Sequence, residues 1–96
     1  MPAYIVFTRE ETLDPAELKT YGEQVPATRA GHELTALVRY GEFEMLEGDP
    51  IEGCVILQFP SFDAAKAWYG SPAYQAAAQH RFAGARYRAF IIQGLG

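Results

Sequence analysis

Apolar residues come in short, dense runs, and proline, glycine and acidic residues punctuate them. Residues 3–8 (AYIVFT) are apolar and β-branched, which predicts a strand buried on both faces. Asp14, Pro15 and Glu17 follow as N-cap, first helical residue and third position, a capping-box-like helix start. Leu13 and Leu18 stand where a hydrophobic staple places them, and Leu18, Tyr21 and Val25 mark one helical face. Pro26 removes a backbone donor, so a kink is expected near Gly22, with packing carrying the helix on to Ala30 and Gly31 ending it.

Residues 32–40 (HELTALVRY) predict a second strand, and Gly41 permits a bulge or tight bend. Residues 42–47 (EFEMLE) alternate polar with apolar, which suggests a strand extension exposed on one face. Gly48-Asp49-Pro50 reads as a turn leading back to a third strand over 54–59. Pro60 has no N–H and stops that strand; Ser61 then caps a helix with Asp63 in its first turn. Gly70 is placed to close the helix in the left-handed conformation, and Ser71-Pro72 repeats the start signal. An alanine-dense helix over about 72–82 breaks at Gly84, and residues 85–93 (ARYRAFIIQ) predict the last strand.

The order is β-α-β-(β)-β-α-(α)-β. It predicts a split βαβ, ferredoxin-like α+β sandwich over residues 1–96, a single domain with helices on one face of an antiparallel sheet. A chain of 96 residues buries about 65% of its unfolded surface, enough to fold alone with little margin. At 49% hydrophobic and 14% aromatic residues, part of the apolar surface is available to a partner subunit.

A net charge of −4 argues against nucleic-acid or anionic-membrane binding, both of which need clustered cations. Arg81, Arg86 and Arg88 form the one local basic cluster. Cys54 stands alone, which excludes an internal disulfide and fits a reducing compartment; no Cys/His spacing suggests zinc. The chain shows no signal-peptide pattern and no apolar run of the ~18 residues that a membrane span needs, so a cytoplasmic location is the expectation.

Phe59-Pro60-Ser61, Ala64-Ala65, Trp68-Tyr69, Ser71-Pro72-x-Tyr74-Gln75 and the earlier Leu46-Glu47-Gly48-Asp49 occur in one order along nearly the whole chain. In this the chain resembles the domain-of-unknown-function family 1330, within the dimeric α+β barrel superfamily. The resemblance implies a homodimer formed through the sheet faces, with a small organic ligand between sheet and helices. It implies no cofactor and no assigned activity.

Phosphate loop, dinucleotide fingerprint, HExxH and nucleophile elbow are all missing from the sequence. His32 and His80 are the residues that titrate near neutrality, candidates for general acid or base and otherwise solvated surface histidines. Arg39 lies in an apolar strand, where a guanidinium must be paired or bind an anion. It reads as an ion pair with Glu42, Glu47 or Asp49, as an anchor for a substrate carboxylate, or as a catalytic cation that, like a Tyr74 donor, stabilises developing negative charge. The family usually has glycines after this arginine; Tyr40 departs from that pattern and joins the candidate ligand contacts. Glu47-Gly48-Asp49 reads as solvated turn residues rather than a carboxylate dyad or cation site, so no metal is expected.

Trp68, Tyr69 and Tyr74 gather around the helix break, as core or dimer contacts or as ligand contacts donating to a carbonyl or enolate. Ser71 is a helix cap whose neighbouring N–H groups offer an anion cradle. Relatives in the superfamily imply a cofactor-independent isomerase, lyase or monooxygenase acting on a small carbonyl or aromatic compound. The alternative is a non-catalytic small-molecule-binding or structural homodimer.

Overall fold

The computed structural model describes residues 1–96. Strand β1 (Ala3–Thr12) leads into α1 (Pro15–Gln24), a 3-10 turn (Val25–Arg29) and β2 (Thr35–Arg39). Strand β3 (Gly53–Phe59), α2 (Phe62–Tyr69), α3 (Pro72–Gly84) and β4 (Ala85–Gln93) complete the chain. The sheet order is β2-β3-β1-β4, and every pairing is antiparallel. Each β-α-β unit is thus split by a strand of the other. No helix is long and apolar enough to cross a membrane.

The register sorts the side chains. Ala3, Ile5 and Phe7 pair with Phe59, Leu57 and Val55, and this face is buried beneath the helices. Trp68 from α2 and Tyr74 from α3 complete the core, their ring centroids 4.1 Å apart. Tyr4, Val6 and Ile56 point to the other face. They are half-buried, and Phe90 and Ile92 beside them are each 52% exposed. β1 is therefore buried on one face, not both: its apolar alternation supplies a core on one side and an uncovered apolar surface on the other.

The caps follow local chemistry. Ser61 Oγ accepts from Ala64 N at 3.0 Å, and Asp14 Oδ1 accepts from Ala16 N at 3.1 Å. The reciprocal half of the capping box is absent, because the Glu17 carboxylate turns to His80 instead. Pro26 converts the end of the helix to 3-10 geometry, and Gly31 closes it at φ +80. Gly70 closes α2 in right-handed geometry, φ −83, because Ser71 restarts a helix at once. Gly84 has a packing role: a Cβ there would lie 2.8 Å from Leu18 Cδ2, while its carbonyl accepts from both Leu13 N and Asp14 N.

Residues 42–47 form no strand, and their side chains are exposed. The bend comes at Tyr40, the one non-glycine residue with positive φ (+53), rather than at Gly41. Arg39 is exposed at the end of β2 and makes no ion pair with Glu42, Glu47 or Asp49: past Tyr40 the chain leaves the sheet and carries those carboxylates with it.

Candidate functional site

A cavity of about 470 Å³ opens between the sheet and the segment formed by α1 and the 3-10 turn. Its floor is Phe7, Val55 and Leu57 from the strands; Leu18, Val25 and Trp68 wall it from the helical side. The site exists because α1 stands off from the sheet. α1 itself has no fully buried residue, whereas α2 and α3 press the core closed with Ala65, Ala77 and Ala78.

The polar part of the lining is unusual for an acidic protein. Arg9, Arg29, Arg39 and Arg81 all line the cavity, four of the six arginines in the chain, and no aspartate or glutamate does. Arg9 is paired with Glu52 at 3.1 Å and lies over the Tyr40 ring, 4.8 Å from its centroid. Arg29 and Arg39 make no salt bridge.

Arg81 is buried, at 4% exposure. It comes from the same helical stripe as Tyr74, Ala77 and Ala78, and has Phe7, Phe82 and Tyr87 rings at 5.1, 4.9 and 5.1 Å from its guanidinium carbon. Its Nη2 reaches Tyr69 Oη at a long 3.5 Å, and its buried Nε has no acceptor. Burial opposes its charge, but the Tyr74 and Tyr21 oxygens outweigh that effect and hold the pKa above its ordinary value.

Tyrosines supply the other polar atoms. Tyr21 Oη and Tyr74 Oη are 2.9 Å apart; Tyr40 Oη and Tyr87 Oη are 2.5 Å apart. Burial, followed by the influence of Tyr74, pushes the Tyr21 phenol far above the usual 10.0. Burial and the Tyr87 hydrogen bond do the same for Tyr40, and burial raises Tyr74. All three stay protonated near neutrality, so they act as donors, not bases. Trp68 Nε1 donates to Thr28 Oγ1 at 3.2 Å, and that hydroxyl donates onward to Val25 O at 2.6 Å.

Of the residues singled out in the sequence, Arg39, Tyr40 and Trp68 line this cavity. Tyr74 is fully buried behind Tyr21, and Tyr69 lies on the far side of Arg81, in a more open hollow shared with Phe82 and Arg86. Ser71 Oγ accepts from Tyr74 N and donates to Trp68 O at 2.7 Å, as a helix cap does. His32 lies in the connection before β2, outside the lining. His80 is also outside it: Nδ1 meets Glu17 Oε2 at 2.6 Å, a bridge from α3 to α1. No three His, Cys, Asp or Glu side chains converge on a metal-sized site.

Sequence reasoning passed over Arg81, Arg9, Tyr21 and Tyr87 as site residues. A signal for Arg81 was present: residues 74, 77, 78 and 81 fall on one helical stripe, so the arginine continues a buried face. Arg9 likewise continues the inward alternation of residues 3, 5 and 7.

The family model described as Domain of unknown function (DUF1330) matches residues 2–95. The chain belongs to the DUF1330 family. No curated protein matches it. Among solved structures, the DUF1330 chain is similar to RPA0582, a protein of unknown function from Rhodopseudomonas palustris. That match has 19% identity and a TM-score of 0.74, over 99% of this chain and 83% of that one. It is similar to a dimeric ferredoxin-like protein of unknown function from Bacteroides fragilis, at 12% identity and TM-score 0.64, over 97% and 96%. It is also similar to SnoaB, a cofactor-independent oxygenase from Streptomyces nogalater, at 13% identity and TM-score 0.62, over 99% and 94%. At these identities the likeness is one of fold, and the fold of this DUF1330 protein is ferredoxin-like.

Proposed function

We propose that this DUF1330 protein is a homodimer, paired through the open faces of its sheets, whose cavity takes a small carbonyl or aromatic compound without a cofactor. The observation that carries the reading is the cavity itself: aliphatic and aromatic walls with a few placed donors, of a size suited to a compact organic molecule. Arg39, Tyr40 and Trp68 are the proposed contacts from the expected set; Arg81 and Tyr21 join them. The uncovered Phe90 and Ile92, together with the dimeric ferredoxin-like neighbour, support the second subunit.

Within this reading, binding is better supported than general acid–base catalysis, because neither histidine lines the cavity and the Tyr21 and Tyr40 phenols are held protonated. A second reading, cofactor-independent turnover of the oxygenase kind, draws support from the shared fold with SnoaB. Arginine and phenol donors would stabilise the negative charge of a substrate that enters the cavity as its anion, its proton already lost to solvent.

Native mass spectrometry of freshly purified protein tests the first reading. The expected result is a dimer, with retained small-molecule mass or a mass added by small aromatic compounds. A monomer at micromolar concentration that takes up none of them would overturn it. Oxygen uptake with small phenols and carbonyl compounds, absent from an Arg81→Met variant that stays folded, tests the second.

A further inference from the structure

We infer that the ligand of this cavity is an organic carboxylate and that Arg81 is its charge partner. The inference rests on the cavity reading above and adds the ligand's chemical class.

A guanidinium has five N–H donors and no acceptor. Arg81 is buried, yet it meets no carboxylate: its polar neighbours are phenols, Tyr69 at a long 3.5 Å and Tyr74, and its Nε has no acceptor. The rings of Phe7, Phe82 and Tyr87 attract the cation without satisfying its N–H groups. A buried cation left in this state calls for an anion from outside the chain.

The phenols point the same way. Each tyrosine pair has two O–H protons and uses one between its two oxygens, so Tyr21–Tyr74 and Tyr40–Tyr87 each keep one donor to spend. Trp68 Nε1 is already committed to Thr28. Arg29 and Arg39 add unpaired positive charge to the wall. The polar lining thus offers cations and O–H donors and no carboxylate or amide side chain. A neutral ligand leaves the charge unanswered. A carboxylate matches the planar guanidinium with two oxygens while its apolar body lies against Phe7, Leu57 and Trp68.

A structural arginine and a ligand-binding arginine predict different outcomes for Arg81→Met, which keeps the bulk of the side chain and removes the charge. If the cation serves a ligand, the purified variant melts at or above the wild-type temperature, because an unpaired buried charge has been removed. A fall in melting temperature would assign Arg81 to holding the fold.

Binding is read by Trp68 fluorescence and by ligand-observed NMR, with benzoate, cinnamate and 2-naphthoate as probes and their primary amides as neutral matches. Wild-type protein is expected to bind the carboxylates at least about tenfold more tightly than the amides. Arg81→Met is expected to lose that preference while keeping its amide affinity, and Arg81→Lys, which keeps the charge without the planar fork, to recover only part of it. Equal binding of acids and amides by wild type overturns the carboxylate assignment and leaves the cavity reading standing. Binding of neither overturns both. Should Arg81→Met fail to fold, the arginine is structural, and the wild-type acid–amide comparison with Arg81→Lys still decides the ligand class.

Discussion

The ring of Tyr40 occupies the space that a Cβ on residue 53 would need: an alanine there would bring its methyl 2.6 Å from Tyr40 Cδ1. The glycine in β3 and the left-handed backbone at Tyr40 together bring the phenol across the sheet to Tyr87, on the same wall as Arg9. A positive φ is what glycine adopts without strain. Here a tyrosine accepts that strain and adds an aromatic contact to the cavity.

Gly53→Ala is therefore expected to destabilise by about 1–3 kcal/mol, as overpacking does, although alanine suits a strand better than glycine. The same substitution in a Tyr40→Gly background should cost almost nothing, because the obstructing ring is gone. Urea melts of the four proteins check this, and equal costs in both backgrounds would show that the two residues do not compete for the space.

Trp68 is 1% exposed and packs between Phe59 and Tyr74. Trp68→Ala should cost about 3–5 kcal/mol in denaturant melts. A loss below about 1 kcal/mol would mean that the indole is not in the core. As the only tryptophan, it also reports ligand entry directly by fluorescence.

Much of the fold was legible because its signals are local. β-branched runs, Pro60, Ser61 and Ser71-Pro72 set strand and helix limits from chemistry within a few residues. Residues 42–47 misled because period-2 alternation also occurs where apolar side chains are left exposed, and no partner strand takes up their hydrogen bonds. The site was harder to read. Arg81 gains its meaning from rings contributed by β1, α3 and β4, and Tyr21 from α1 meets Tyr74 from α3, 53 residues on. Such convergence is tertiary, and the histidines, which carry the most suggestive side chains in the sequence, fold away from it.

His80 joins α3 to α1 through Glu17, with both side chains about one-third exposed. His80→Ala should lower stability by about 0.2–1 kcal/mol and leave ligand affinity unchanged. A loss of binding without a change in melting temperature would return His80 to the site.

Tyr21, Tyr40 and Tyr74 have folded pKa values raised above the ordinary 10.0, burial being the largest cause for each. The native state holds these protons after the unfolded chain has released them. Stability should therefore be insensitive to the phenols below about pH 10 and fall as pH rises above it. Chemical denaturation across the alkaline range, followed alongside phenolate absorbance, checks this. Tyr21→Phe should make the decline shallower, and an unchanged slope would show that its phenol titrates as in free solution.

Phe90 pairs with Val6 across β4 and β1 on the face that no helix covers, and Ile92 pairs with Tyr4 beside it. Both aromatic and aliphatic side chains stay half in water in the single chain, a poor arrangement unless another surface covers them. Phe90→Glu places a charge on that patch. A dimer paired through the sheets would have to bury that charge and would lose the apolar burial of the phenyl ring. The variant should be monomeric at concentrations where wild type is dimeric by light scattering, with its far-ultraviolet circular dichroism retained. Glu11→Gln, on the exposed rim where that carboxylate pairs with Arg86, should leave the mass unchanged. A dimer that survives Phe90→Glu would place the subunit interface elsewhere, with the exposed Phe43 and Leu46 in the connection between β2 and β3 as the next surface to probe.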